Sequence, residues 1–223
     1  MINVVTRKLI AKELYVNRWF VGGGAISAVV SVLIAATSKT GFNIGALTWL
    51  TTIIATGVMM ALYGIMNERK EHSLQFVLSL PLSVGDYVLA KMLGLMACFL
   101  IVWLAGSAAA MTLVFGMQAV PDGVGPYVVL LCVFMLANFA VVLCGALHAQ
   151  SEALTSAVVI ITNMGVSIFM FTIGPLPGIS QSMWGPTPAW NSTFWTVLGC
   201  ELAVLVVAFT LPFFLAARRR DFL

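Results

Sequence analysis

Few side chains in this sequence are equipped for chemistry, and their spacing narrows what that chemistry is. His148 and Glu152 stand four residues apart, a separation that puts two metal-ligating side chains on one helix face. A metal centre needs a third or fourth protein ligand, and the only other histidine, His72, belongs to a distant segment. The pair therefore reads as the polarity of a turn, and no metal site is expected. Gly178-Ile179-Ser180-Gln181-Ser182 starts like a nucleophile elbow but lacks its closing glycine. No G-x-x-x-x-G-K-[ST] phosphate loop occurs, and the nearest string, Thr37-Ser38-Lys39-Thr40, lacks the glycines. The chain is thus expected to have no catalytic residue and to bind no ATP of its own. Cys98, Cys132, Cys144 and Cys200 all lie in apolar runs without C-x-x-C spacing, and read as small hydrophobes. Glu201 is the one acid clearly inside an apolar run; it either lines or gates a path, or hydrogen-bonds a neighbouring helix.

The elements that must carry these residues follow from composition. Of 223 residues, 61% are hydrophobic and 9% charged, against about 25% charged in soluble domains. Mean hydropathy is +1.05. A soluble fold or a disordered chain is excluded, since so much apolar surface would aggregate in water. Apolar runs occupy about 20–36, 44–66, 88–116, 127–147, 153–174 and 194–217, each near the ~20 residues a spanning helix needs. An all-α membrane protein with six transmembrane helices is expected, as a single domain over 1–223. Residues 1–19 place Ile2, Val5, Leu9 and Val16 near one helical face, with Arg7, Lys8, Lys12, Glu13 and Arg18 on or near the other. That pattern predicts an amphipathic helix at the membrane interface, ending in Tyr15, Trp19 and Phe20. No cleavable signal peptide is expected there.

Orientation follows from the cations. With the N-terminus inside, the inner segments hold Arg7, Lys8, Lys12, Arg18, Arg69, Lys70, Lys91, Arg218, Arg219 and Arg220, and the outer ones hold only Lys39. Both termini are therefore expected in the cytoplasm. This placement, and not the net charge of +3, is what the basic residues encode, so no nucleic-acid partner is implied. Within the spans, Thr48, Thr51, Thr52 and Thr56 recur at helical spacing on the second helix, and Asn163 and Ser167 do so on the fifth. Such residues glue helices together or line a surface.

The longest inner connection is the most informative. Glu68-Arg69-Lys70-Glu71 opens it with mixed charge, and Ser73 to Leu80 can form two helical turns with Leu74, Val77, Leu78 and Phe76 on an apolar side. Pro81 ends that helix, and Ser83-Val84-Gly85-Asp86 has the form of a capping box opening the next. A short helix across the inner face suits docking to a cytoplasmic partner; a passive charged loop would look similar.

The string E-R-x-x-x-S-L-x-x-x-L-S-L-P-L-S-x-x-D-Y-x-L-A-K-M-L-G resembles the first cytoplasmic loop of type-2 ABC transporter permeases. It is carried by Glu68, Arg69, Ser73, Leu74, Leu78, Ser79, Leu80, Pro81, Ser83, Lys91 and Gly94; family members often have Gly where His72 stands. The amphipathic start, the six spans, the last long outer loop rich in proline and tryptophan, and the basic tail are similar too. The resemblance implies that Glu68, Arg69, Glu71, His72, Ser73, Leu74, Phe76, Leu78 and Pro81 form a coupling helix on a separate ATPase subunit, with His148 and Glu152 a minor contact. It implies two permease copies and two ATPases, with ATP and Mg on the ATPases. It also implies a path between the permeases, for which Thr52, Thr56, Asn163, Ser167 and Glu201 are candidates. The expected function is export of an amphiphilic, drug-, peptide- or lipid-like substrate from a bacterial inner or plasma membrane, in contact with its lipid. A membrane scaffold or sensor, or an intramembrane enzyme, are the alternatives left open.

Overall fold

The computed structural model describes residues 4–66, 84–117, 120–149 and 151–218. The coupling-helix residues Glu68 to Pro81 lie outside the described residues, as does Ser83. The described chain is helical almost throughout. Helix α1 is Val4–Val16, α2 Arg18–Ala35, α3 Lys39–Ala61, α4 Val84–Met111, α5 Gly125–His148, α6 Glu152–Ile173 and α7 Ser192–Arg218. Helices α2 to α7 give six segments long and apolar enough to cross a membrane, as the hydropathy pattern predicts.

The ends follow from local chemistry. Helix α3 starts at Lys39, earlier than the apolar run, because Ser38 caps it by accepting from the Gly41 N–H at 3.0 Å. Ser151 caps α6 in the same way, accepting from Leu154 N at 3.2 Å. Between His148 and Glu152 the backbone is extended at Ala149 and Ser151, so the two side chains stand on different helices. Asn191 caps α7 through its Oδ1, accepting from Phe194 N at 3.0 Å, while its Nδ2 donates to Gly178 O. This holds the single helical turn Pro177–Ser180 of the proline-rich segment against the start of the last span. A π-helical turn extends α3 over Leu62–Met66 and another extends α4 over Thr112–Gly116. The second lengthens the third span to 32 residues, about 48 Å of helix against a hydrocarbon core of ~30 Å.

Helices α4 and α5 form the middle of the bundle, and α6 and α7 bury least. Helix α2 packs along α3 and α4, α7 along α5 and α4, and α6 along α5. Aromatic contacts join neighbouring helices: Phe99 of α4 stacks on Phe139 of α5 at 4.0 Å between centroids, and Phe134 of α5 on Phe169 of α6 at 4.2 Å. Trp49 Nε1 donates to Gly106 O at 3.1 Å and Trp103 Nε1 to Cys132 O at 2.7 Å, so two indoles spend their polar atoms across helix pairs. All four cysteines are unpaired; Cys98 and Cys132 are buried, whereas Cys200 is on the outer surface of the bundle.

Close backbone approach sets the α2–α3 contact. A Cβ on Gly45 would stand 2.5 Å from Ala35 N and 2.6 Å from Ala35 Cβ, whereas one on Gly22 would meet nothing within 4 Å. Gly45→Leu is therefore expected to destabilise the solubilised protein by about 1–3 kcal/mol through overpacking, and Gly22→Ala to leave it as stable or slightly more so. Thermal melts in one detergent check this; equal melting temperatures for the two variants would contradict the packing described.

Candidate functional site

Helix α1 turns one polar side toward the protein. Thr6, Glu13 and Asn17, spaced seven and four apart, are buried, while Arg7, Lys8 and Lys12 are exposed. The amphipathic pattern predicts Glu13 on the face of the exposed basic residues, but it is buried apart from them. The reason is its partner. Lys91, two turns into α4, donates from Nζ to Glu13 Oε1 at 2.7 Å and to Gly64 O at 2.7 Å. Both ionic side chains are nearly closed off, 4% and 5% exposed.

The surroundings explain how α1 comes so near. A Cβ on Gly94 would lie 2.8 Å from Glu13 Cβ and Cγ, so only glycine leaves room for the acid one turn beyond Lys91. Asn17 Nδ2 donates to Glu13 O at 2.9 Å, and the Cys98 thiol approaches the same oxygen at 3.7 Å. Gly64 sits in the π-helical turn that closes α3, packed against Leu95; such turns divert carbonyls from the helical ladder and often mark functional positions. Lys91 thus joins α1, the last turn before residues 67–83 and the helix that follows them. The Lys-x-x-Gly pattern at Lys91 and Gly94 has a physical content: a charge for Glu13 and a gap for its stem.

The other residues singled out by sequence are dispersed. His148 closes α5, its Nδ1 2.9 Å from Cys144 O, and exposed Glu152 opens α6 where the helix dipole favours an acid. Thr52 pairs with Ser27 across α2 and α3 at 3.0 Å, and buried Thr56 lies against Gly24, so both face α2. The exposed stripe of α3 carries Thr48 and Thr51 instead. Asn163 donates to Val159 O at 2.7 Å and, with Asn138, lines a narrow crevice beside Gly57 and Phe139. Ser167 is exposed on α6. Glu201 is 7% exposed, and neither carboxyl oxygen has a hydrogen-bond partner among the described residues. It lies within electrostatic reach of Cys132, which is beside Ser107, and so points to the α4–α5 side, apart from Asn163.

The structure thus has six helices long and apolar enough to cross a membrane, with the N-terminal helix latched to the end of α3 and the start of α4. The sequence profile of the ABC-2 family transporter protein matches residues 34–199. The chain belongs to that family of ABC transporter permeases. Comparison with curated proteins finds no match.

Removing one member of a buried ion pair strands the other. Lys91→Met alone is expected to cost about 3–5 kcal/mol, and Lys91→Met with Glu13→Leu much less. Melting midpoints of the three proteins test this. A double variant as unstable as the single one would show that the charges do not act as a pair.

Proposed function

We propose that this permease is the membrane subunit of an ATP-driven exporter whose motor is a separate ATPase chain. The observation that carries the reading is the Lys91 junction. It grips Gly64, three residues before the loop 67–83, and Lys91 itself follows the loop by eight residues. A displacement of that loop by a docked ATPase would reach α3, α4 and α1 through side chains that have no solvent in which to relax. The coupling contact is then Glu68, Arg69, Glu71, His72, Ser73, Leu74, Phe76, Leu78 and Pro81, with His148 and Glu152 as a smaller second contact. ATP and Mg belong to the ATPase.

The permease works as two copies. Helix α6 leaves Ile160, Met164, Ser167, Ile168 and Phe171 exposed along one face, and α3 leaves Ile44, Leu47, Thr48, Thr51 and Met59 exposed along another. Apolar seams interrupted by hydroxyls suit a second permease and an amphiphilic substrate moving outward between them. Both termini lie in the cytoplasm of a bacterial cell, on the side that holds ten of the 11 Lys and Arg residues.

Co-purification with an ABC ATPase co-expressed from the same genome tests the reading. The complex is expected to form and to turn over ATP. Leu78→Asp, which places a charge in the apolar docking side, is expected to cut association at least about thirtyfold, equivalent to one interface hot spot. An ATPase that neither binds the wild-type chain nor hydrolyses ATP with it would sink the exporter reading.

A further inference from the structure

A cavity of about 760 Å³ opens at the end of the bundle opposite Met66 and Val84, between the α2–α3 turn, the 120–127 segment and the proline-rich segment. Its two sides differ in chemistry. The first two turns of α3 contribute Lys39, Thr40 and Asn43, whose side chains make no hydrogen bond or ion pair among the described residues. The facing wall is apolar: Val124, Tyr127, Met183 and Trp184, the last 75% exposed. The walls are braced before any ligand arrives. Ser38 caps α3, and Gly123 N donates to Gly185 O at 3.0 Å, tying the 3-10 turn Asp122–Val124 to the proline-rich segment. Lys39 is the only Lys or Arg in the segments that meet at this end. The acid of those segments, Asp122, does not line the cavity.

We propose that this cavity binds an anionic lipid, its phosphate on Lys39, Thr40 and Asn43 and its glycerol and upper acyl chain on Tyr127, Met183 and Trp184. Charge complementarity selects an anion, and the positive end of the α3 dipole adds to it. The volume lies in the range of sites for ligands of some size, about 300–1,000 Å³, and a bare phosphate would leave the apolar wall wet. The cavity also sits at the level where spanning helices end and headgroups lie, with an exposed tryptophan on its rim. The proposal rests on the helices crossing a membrane, and neither on export nor on an ATPase.

Native mass spectrometry of the full chain in detergent tests it, with phosphatidylglycerol and phosphatidylcholine as the probes. The wild type is expected to retain phosphatidylglycerol in preference to phosphatidylcholine. Lys39→Glu is expected to lose about tenfold in that retention, the loss of one charge-assisted contact, while Lys39→Arg keeps it. Asn43→Leu, at a second lining position, is expected to weaken it in the same direction. Equal retention of the two lipids, or phosphatidylglycerol retained undiminished by both Lys39→Glu and Asn43→Leu, overturns the proposal. Displacement of the lipid by millimolar inorganic phosphate overturns it as well, by making free anion the ligand. Since no ATPase is present, none of these results bears on the export reading.

Discussion

An ammonium and a carboxylate that leave water inside an apolar bundle must find each other, and the positions of Lys91 and Glu13 dictate much of what surrounds them. Taking either charge out of water costs several kcal/mol, which only close pairing and further hydrogen bonds offset. Gly64 supplies one such bond to the ammonium. Gly94 is without a side chain because Glu13 occupies the space. Helix α1 is held at the flank of α4 by a polar contact that cannot slide as an apolar one could. Its basic residues remain outside, so one short helix serves two environments: Glu13 and Asn17 toward protein, Arg7 and Lys8 away from it.

The spans were readable because hydropathy integrates over many residues, so small errors in any one position do not shift the pattern. The expected run of 153–174 differs from α6 by one residue at each end. The largest boundary difference is at α3, where Lys39 to Asn43 are polar or small apart from Phe42 and read as a loop. They are helical because Ser38 closes the first turn, and a capping residue carries no hydropathy signal. A helix start was nevertheless written in the sequence, in a serine three residues before Gly41.

The site was less legible, for a different reason. A hydrophobic face predicts which side of a helix meets apolar surroundings, but lipid and protein interior are alike in this respect. The exposed Val4 and Val16 of α1 and its buried Glu13 reverse the simple expectation for that reason. The available signal is a coincidence of residue types: one acid, Glu13, among the cations of the first segment, and a lysine and glycine one turn apart on α4. The threonines show the same ambiguity. Thr48, Thr51 and Thr56 each donate to a carbonyl of α3 itself, which satisfies the hydroxyl wherever it points. Spacing therefore grouped four residues that packing divides, two outward and two toward α2.

The Lys91–Glu13 contact joins residues 78 positions apart in the chain. During synthesis the N-terminal helix emerges first, yet the charge that fixes it belongs to the third span. Until that span arrives, Glu13 has the adjacent Lys12 and water to face, but not the closer ammonium of Lys91. The pair then ties the packing of the N-terminal helix to the presence of α4: a chain that stops short of Lys91 lacks the charge that holds that helix in the bundle.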